Sequence, residues 1–257
     1  MKILKEHILE SVLVTGCTKG IGLQFVKHFV TANSTDGSNT QIFACSIGTS
    51  PELDQLLADE NVHHVDLDIS KPEQVKHAVL KVEKLLNGKG LNLVVNNAAI
   101  MSYNKAAGVE ECSPEELTDV FSVNVSGTHS VTMAFHPLLK LSASQRSDLP
   151  LCCARGAVFN ISSNLGSVGN SERAFAVSYR VSKAALNMLT KITSLQFIED
   201  GIICLAVHPG WVQTDLGGHD AELTPAESVS DMVYLIQNAQ EKNNGQFIQK
   251  NFVVFPY

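Results

Sequence analysis

Short, uninterrupted apolar segments alternate with longer helical patterns from one end of this chain to the other. The segments at 11–15 (SVLVT), 91–96 (LNLVVN) and 202–207 (IICLAV) carry apolar side chains at most successive positions. This pattern is typical of strands buried on both faces of a parallel sheet, because a strand with one solvent-facing side alternates apolar and polar residues. Repeated strand–helix units therefore predict an α/β fold, with one doubly wound, mostly parallel sheet of Rossmann type flanked by helices.

The same patterns place each element along the chain. The predicted strands span 11–15, 41–45, 62–66, 91–96, 157–161, 202–207 and 246–254. The predicted helices span about 20–30, 72–86, 114–141, 179–198 and 225–237. Two polar stretches, 32–40 and 142–149, are expected to be surface loops. No linker composition divides the chain, so residues 1–257 are expected to form a single domain.

Charge and composition exclude several classes of protein. The chain has 19 Lys and Arg against 26 Asp and Glu, a formal net charge of -7, whereas nucleic-acid-binding proteins usually carry a basic excess. No apolar run approaches the ~20 residues of a membrane-spanning helix, and residues 1–10 lack the apolar core of a signal peptide. The six cysteines form no CxxC pair, so neither a metal site nor a disulfide scaffold is expected. We therefore expect a cytoplasmic protein that binds neither nucleic acid nor membrane.

A glycine-rich turn, TGCTKGIG at 15–22, joins the first predicted strand to the first predicted helix. Glycine allows a tight turn and the close approach of a ligand. The N-terminus of a helix offers unpaired N–H groups and a partial positive charge. A strand, such a turn and a helix in this order form a cradle for pyrophosphate. The turn therefore predicts dinucleotide binding, with a glycine-rich turn that holds no ligand as the alternative.

The spacing Gly-x-x-x-Gly-x-Gly of this turn, with a leading Thr, resembles that of the short-chain dehydrogenase/reductase family. The rest of the chain carries the family's other motifs in the same order. They are Asp68-Ile69 after the third strand, Asn96-Asn97-Ala98-Ala99 after the fourth with alanine in place of the last glycine, Asn124 in the next helix, Ser163, Tyr179-x-x-x-Lys183, and Pro209-Gly210 with Thr214. The run HPGWVQTDLGG at 208–218 and the polar insertion at 142–151 are similar to the sniffer/C-factor-like carbonyl reductases within that family.

The resemblance implies a catalytic set of Asn124, Ser163, Tyr179 and Lys183. Tyr179 and Lys183 are four residues apart, so a helix places them on one face. A tyrosine has an ordinary pKa of about 10, and we expect the neighbouring ammonium to lower it and so favour proton transfer. Ser162 competes with Ser163 for the serine role. We choose Ser163, since Ser163-Asn-Leu-Gly matches the family's Ser-x-x-Gly. Asn124 would support a water that leads to Lys183, with a purely structural amide as the alternative.

The resemblance also implies the residues that hold a nicotinamide cofactor. They are Gly16, Thr18, Lys19, Gly20, Ile21, Gly22, Ser46, Asp68, Ile69, Asn97, Ala98, Ala99, Tyr179, Lys183, Pro209, Gly210, Val212 and Thr214. Recognition of NAD usually requires an acidic residue near the end of the second strand, but no acid occurs between Gln41 and Pro51. Ser46 stands where many NADP-dependent relatives carry Arg, and Lys19 offers a cation to a 2′-phosphate. We therefore expect NADP(H) and leave NAD(H) open as a second cofactor.

These residues together predict an NADPH-dependent oxidoreductase that reduces a small-molecule aldehyde or ketone to an alcohol, with Tyr179 as proton donor. One alternative is a signalling or sensor protein that keeps the fold and the cofactor but turns over little. An epimerase or dehydratase is less favoured, because such relatives usually carry a larger C-terminal region.

A homodimer or homotetramer is expected through the helices at 114–141 and 179–198. The second of these helices has apolar residues on more than one stripe, namely Met188, Leu189, Ile192, Leu195 and Ile198.

Lys19→Glu should weaken the binding of NADPH far more than the binding of NADH. The reason is the Coulomb attraction between the ammonium and the 2′-phosphate, which only NADPH carries. The measurement is the dissociation constant of each cofactor for both proteins. An equal loss of affinity for the two cofactors would show that Lys19 does not discriminate between them.

Overall fold

A computed structural model of the chain describes residues 9–257. The prediction about a missing signal peptide falls mainly on residues 1–8 and so lies outside the described part. The sheet has eight strands in the order β3-β2-β1-β4-β5-β6-β7-β8, and every neighbouring pair is parallel except β7 and β8. The strands are β1 (Ser11–Thr15), β2 (Gln41–Ser46), β3 (Val62–Asp66), β4 (Leu93–Asn96), β5 (Ala157–Ile161), β6 (Ile203–Val207), β7 (Phe247–Gln249) and β8 (Val253–Val254). This architecture confirms the predicted fold class.

Helices cover both faces of the sheet. They are α1 (Gly20–Asp36), α2 (Pro51–Leu56), α3 (Pro72–Leu86), α4 (Pro114–Phe121), α5 (Thr128–Gln145), α6 (Val177–Phe197) and α7 (Pro225–Asn238). Val12 and Val14 of β1 belong to the apolar cluster that contains α1 and α7, whereas Leu13 belongs to the cluster that contains α3 and α5. Alternate side chains of a strand thus enter opposite cores, which explains the continuous apolar runs. None of the described helices combines the length and the apolar composition needed to cross a membrane.

Helix α1 is longer than its pattern predicted, and it replaces most of the loop expected at 32–40. The hydroxyls of Thr31, Ser34 and Thr35 each donate to a backbone carbonyl four residues earlier. These bonds satisfy the polar side chains inside the helix, so the polar composition does not end it. The helix ends before Gly37, whose φ of 73° is in the left-handed region that favours glycine.

Three further elements depart from the predictions. Helix α5 continues to Gln145, so the predicted loop at 142–149 begins later. Helix α2 was not predicted, because six residues carry too little periodicity; Ser50 caps it by accepting from Leu53 N–H at 3.2 Å. The single strand predicted at 246–254 is two antiparallel strands joined by a tight turn. The turn is possible because Asn251 adopts a left-handed φ of 59°.

A buried amide ties the amino end of β4 to its neighbours. Asn92 is 2% exposed, and its Oδ1 accepts from Ser11 N–H at 2.9 Å and from Ser11 Oγ at 3.0 Å. Its Nδ2 donates to Ser142 Oγ at 2.8 Å and to the carbonyl of Ala154 at 2.7 Å. One side chain therefore joins β1, α5 and the segment before β5. Its polar atoms are paired, as burial requires.

Candidate active site

The site lies at the carboxyl ends of β1 and β4, where the strand order of the sheet reverses. Ligands of open α/β sheets bind in the crevice at such a switch point. The crevice here is a cleft of about 1380 Å³, larger than the roughly 300–1,000 Å³ of a pocket for one drug-sized ligand. It therefore has room for a dinucleotide and a second molecule.

The glycine-rich turn is packed too closely for side chains. A Cβ at Gly22 would lie 2.1 Å from the carbonyl oxygen of Gly16, so the first turn of α1 lies directly against the end of β1. Gly16 and Gly20 have φ values of 76° and 57°, both left-handed. A Cβ at Gly20 would meet Thr214 Cγ2 at 3.1 Å. The structure therefore brings Gly20 and Thr214 together.

The segment after β4 is bonded directly to this turn. Thr15 Oγ1 accepts from the N–H groups of Asn97 and Ala98, both at 3.0 Å. Asn97 Nδ2 donates to the carbonyls of Thr15 at 2.8 Å and Gly16 at 3.2 Å. The Thr of the first motif and the Asn of the second thus hold the ends of two neighbouring strands in one register. Ala99 lines the same cleft.

Tyr179 and Lys183 lie on α6, and Ser163 follows β5. All three line the cleft, and the hydroxyl of Ser163 lies close enough to the phenol of Tyr179 to lower its pKa. The same hydroxyl donates to Asn164 Oδ1 at 3.3 Å and accepts from Leu165 N–H at 3.1 Å. Ser162 points elsewhere, since its hydroxyl donates to Asn187 Oδ1 at 2.5 Å. The geometry therefore places Ser163, rather than Ser162, beside the tyrosine.

Burial sets the ionisation of this pair. It raises the pKa of Tyr179 to about 12, although the nearby Ser163 hydroxyl acts in the opposite direction. Burial also lowers the pKa of Lys183 to about 7, because the charged ammonium is disfavoured away from water. The expectation that Lys183 lowers the pKa of Tyr179 is therefore wrong for this structure. Lys183 Nζ donates to the carbonyl of Ile161 at 2.8 Å and lies 5.4 Å from the centroid of the tyrosine ring.

Asn124 lies in a π-helical turn, Ser122–Gly127, that separates α4 from α5. Such turns insert a residue into a helix and are frequent at functional sites. Asn124 Oδ1 accepts from Ile100 N–H at 2.8 Å, and Nδ2 donates to the carbonyl of Ile100 at 2.9 Å and to Ser182 Oγ at 3.0 Å. The amide therefore joins the segment after β4 to α6. Ser182, which lies inside the Tyr-x-x-x-Lys motif, was not singled out from the sequence.

Lys19, Ser46, Asp68 and Ile69, which were expected to hold the cofactor, all line the cleft. Asp68 Oδ1 accepts from Ser70 N–H at 2.9 Å and from Ser70 Oγ at 2.7 Å, and Asp68 and Ile69 line the cleft. Ser46 is buried, and its hydroxyl donates to the carbonyl of Gly48 at 2.8 Å. Lys19 forms an ion pair with Asp215 across the rim. Both of these side chains are mostly exposed, so the pair contributes little to stability.

The segment after β6 forms a cover over the cleft. Gly210 has a φ of 84°, and Val212 forms a bridge with Leu223. Trp211 Nε1 donates to the carbonyl of Gly217 at 2.8 Å. Lys105 Nζ donates to the carbonyls of Asp215 at 3.0 Å and Leu216 at 2.8 Å. This short cover is therefore held by its own bonds and by a lysine from the segment after β4. Pro209 also lines the cleft.

Several cleft residues carry no motif and were missed by the sequence analysis. They include Ile47, Leu67, Ile100, Met101, Lys105, Arg173 and Phe175. Ile47, Leu67 and Ile100 directly neighbour a motif residue, and that adjacency was the available signal. Lys105, Arg173 and Phe175 occur in segments with no recognisable pattern, so only the fold brings them to the site.

The donor set of the cleft fits a nicotinamide dinucleotide. The amino end of α1 faces the cleft through Lys19, Gly20 and Ile21, and Lys19, the N-cap, makes no side-chain cap bond. The first N–H groups of a helix have no partner within the helix and carry partial positive charge. Thr18 and Ala98 complete the lining on the two sides of this turn. These groups would hold the pyrophosphate, while Tyr179 and Lys183 line the same cleft.

Comparison with known proteins gives consistent similarities. A profile of the family described as short chain dehydrogenase matches residues 10–223. The carbonyl reductase Sniffer of D. melanogaster is 31% identical with a TM-score of 0.91, covering 97% of this chain and 100% of that chain. An NADPH-bound carbonyl reductase from chicken fatty liver is 34% identical with a TM-score of 0.88, covering 97% and 94%. C-signal of Myxococcus xanthus is 30% identical over 167 residues, which are 65% of this chain and 93% of that protein.

Lys183→Met should remove a pH dependence of stability. In the folded protein the pKa of Lys183 is about 7, against an ordinary value of 10.5. Between these values the unfolded lysine holds a proton that the folded lysine releases, so the unfolded state binds more protons and stability rises with pH. Tyr179, whose pKa is raised from 10.0, opposes this trend only at higher pH. Urea unfolding at several pH values from about 7 to 10 should show the wild type gaining stability relative to Lys183→Met.

The exposed Lys242→Met variant controls for the loss of a lysine charge. Curves of wild type and Lys183→Met that stay parallel over this range would contradict the burial of Lys183 as a neutral amine.

Proposed function

Because this chain belongs to the short-chain dehydrogenase family, we propose that this oxidoreductase is an NADP(H)-dependent carbonyl reductase. The family match and the two carbonyl reductase structures confirm the resemblance predicted from its motifs, including its similarity to the sniffer-like members. The observation that carries the proposal is the Ser163–Tyr179–Lys183 cluster in the same cleft as the glycine-rich cradle. We also propose that residues 1–257 act as one cofactor-binding and catalytic domain.

The proposed reaction adds a hydride and a proton to a carbonyl group. NADPH supplies the hydride when bound. Tyr179 donates its phenolic proton to the carbonyl oxygen, which becomes the hydroxyl of the alcohol. A phenol with a pKa of about 12 keeps its proton at neutral pH, as an acid must before the reaction. The hydroxyl of Ser163 donates a hydrogen bond to the same oxygen and stabilises the negative charge that develops there.

Lys183 and Asn124 act on the tyrosine side of the cleft. Lys183 is 3% exposed, and its bond to the carbonyl of Ile161 fixes its ammonium or amine between β5 and the cleft. In this position it would hold the nicotinamide ribose and, with a pKa of about 7, exchange protons near neutral pH. Asn124 holds α6 against the segment after β4 through Ser182, and it would support the water that supplies protons to Lys183.

The preference for NADP(H) is supported by charge at the adenosine end. Ser46 presents a neutral hydroxyl at the end of β2, and residues 41–51 contain no acidic residue that would bind a ribose 2′-hydroxyl. Lys19 is mostly exposed at the rim, where it can exchange Asp215 for a phosphate. The similar carbonyl reductase from chicken fatty liver was solved with NADPH bound. Activity should be measured with NADH as well as with NADPH, because the site also leaves room for NADH.

A second candidate is a signalling protein that binds the cofactor and turns over little. The name of the Myxococcus xanthus relative, C-signal, is the observation in its favour. The grouping of Ser163, Tyr179 and Lys183 in one cleft weighs against it, because a binding protein has no need of a proton donor positioned in this way. Turnover of a panel of aldehydes and ketones, followed as the loss of NADPH absorbance, distinguishes the two. Stoichiometric cofactor binding without turnover of any carbonyl would favour signalling.

We further propose that two copies pair through α4, α5 and α6. Met188, Ile192 and Leu195 of α6 are 59%, 56% and 63% exposed. Phe121 and Met133 on the neighbouring helices are also exposed, whereas Leu189 and Ile198 are half-buried. Large apolar side chains grouped on one face are typical of an interface, and two-fold pairing is the commonest assembly.

The six free cysteines fit a reducing compartment such as the cytoplasm.

Tyr179→Phe should abolish carbonyl reduction while cofactor affinity is nearly unchanged. The substitution removes the proton donor and leaves the ring, and general acid catalysis typically contributes ~10²–10⁴-fold. Steady-state rates and the dissociation constant of NADPH are the measurements. Tyr234→Phe, an exposed tyrosine on α7, is the matched control and should retain wild-type rates. Residual activity of Tyr179→Phe above a tenth of wild type would contradict the assignment.

Leu195→Glu should shift the protein from dimer to monomer. Light scattering of the wild type should give about twice 27.8 kDa, or a higher multiple for a tetramer. The introduced carboxylate would lose its water in the interface, a cost that favours separation. Leu80→Glu places the same charge on an exposed apolar position of α3 and should leave the mass unchanged. A wild-type protein with the mass of one chain would contradict the pairing.

A further inference from the structure

Helix α6, which carries Tyr179 and Lys183, begins without a cap of its own. Ala176 at the N-cap has a left-handed φ of 49° and no side chain that can bond to the helix. The first bond of the helix runs from Arg180 N–H to the carbonyl of Ala176 at 2.9 Å. The N–H groups before Arg180 therefore need partners from elsewhere, as at any helix start.

Those partners come from the segment after β4. Ala176 N–H donates to the carbonyl of Lys105 at 3.1 Å. Tyr179 N–H donates to Ser102 Oγ at 3.2 Å. Ser102 thus takes the role of a capping hydroxyl, although it lies 77 positions earlier in the chain. The bond is made to the backbone of the very residue whose phenol is proposed to donate the proton.

A chain of buried hydroxyls links this cap to a carboxylate on α4. Ser102 Oγ and Ser178 Oγ are 2.7 Å apart, and Ser178 Oγ donates to Glu116 Oε1 at 2.5 Å. All three side chains are buried, with 5%, 1% and 6% exposed respectively. Glu116 Oε1 also accepts from Tyr103 N–H at 3.3 Å. We call Ser102, Ser178 and Glu116 the Glu116 network.

The carboxylate fixes the direction of every bond in the Glu116 network. A carboxylate only accepts, so Ser178 uses its single proton on Glu116. Ser178 can then only accept from Ser102, whose proton is used there. Ser102 is left with a lone pair directed to Tyr179 N–H. A series of hydrogen bonds that ends on a charged group is stronger than one between neutral groups. Glu116 therefore strengthens the hydrogen bond between Ser102 and Tyr179 N–H, although Ser178 lies between Glu116 and Ser102.

The carbonyl of Tyr179 is held as well. Ser182 Oγ donates to it at 2.7 Å and itself accepts from Asn124 Nδ2 at 3.0 Å. Both peptide groups beside the Tyr179 side chain are therefore fixed by hydroxyls that lead to α4 and to the π-helical turn. The first turn of α6 cannot shift along the cleft without breaking one of the two.

We propose that Glu116 is a positioning residue that, through Ser178 and Ser102, holds Tyr179 at the height in the cleft that proton donation requires. This inference rests on the proposed carbonyl reductase function. Small displacements of a catalytic group have large effects on rate, up to about 10²-fold for 1 Å. Loss of the network should therefore lower kcat while the cofactor cradle, which is held by separate bonds between Asn97 and the glycine-rich turn, is unaffected.

The test compares Glu116→Ala, Glu116→Gln and the matched control Glu115→Ala, which removes an exposed carboxylate from the same helix. Amide hydrogen exchange of the first turn of α6, 177–180, is measured beside kcat and KM for NADPH. For Glu116→Ala we expect exchange in that turn about ten-fold faster and kcat about ten-fold lower, with KM for NADPH within about two-fold of wild type. Glu116→Gln keeps an oxygen acceptor and should recover most of both losses. Glu115→Ala should match wild type.

Unchanged exchange at 177–180 in Glu116→Ala would overturn the inference, and so would faster exchange with an unchanged kcat. A matched loss of stability throughout the protein would also overturn it, because the role would then be structural. If Glu116→Ala does not fold, Ser102→Ala removes the cap alone and is measured in the same way. If the wild type reduces no carbonyl, the proposed function is contradicted. The hydrogen-exchange comparison at 177–180 then still tests whether the Glu116 network fixes the first turn of α6.

Discussion

Two backbone segments meet at the end of β1 with no space for a side chain between them. Because a Cβ at Gly22 would fall 2.1 Å from the Gly16 carbonyl, the start of α1 is fixed directly over the strand end. The side-chain amide of Asn97 donates to the carbonyls of Thr15 and Gly16, so the end of β4 is fixed at the same place. The segment that follows β4 carries Ser102 and Lys105 to the start of α6. The cofactor cradle and the proposed proton donor thus depend on one close approach.

Burial then determines how the groups in the cleft are charged. Lys183 is buried and Tyr179 is half-buried in the wall of the cleft, and both pKa shifts favour the uncharged form. The ion pairs at the rim, such as Lys19 with Asp215, are mostly exposed and easily exchanged. Charged side chains such as Lys19, Asp68 and Lys105 line the same cleft as these uncharged groups, which suits a ligand that carries phosphates as well as a reacting carbon. This distribution links the fold to the proposed reduction of a carbonyl group.

The predictions from sequence were wrong where a hydrogen bond, a local change of helix type or burial was not visible in the sequence pattern. Helix α1 continues through a polar stretch because Thr31 and Thr35 bond back to their own helix. The long helix predicted at 114–141 is interrupted by the π-helical turn that holds Asn124, which no periodicity reveals. Lys183 was expected to lower the pKa of Tyr179, but burial lowers the pKa of Lys183 itself to about 7, so its charged form is disfavoured. In each case the competing interaction is a contact or a dielectric effect that the linear pattern does not contain.

The parallel sheet, the order of its elements and the position of the glycine-rich turn could be predicted from the amino-acid sequence. These features depend on neighbours in the chain: consecutive apolar residues for strands buried on both faces, and glycines where the backbone must turn and approach closely. The packing of distant segments, in contrast, places Ser163 rather than Ser162 beside Tyr179 and brings Glu116, 62 positions before Ser178, to the start of α6. Contacts across such separations, and the burial that shifts a pKa, exist only once the helices have packed on the sheet.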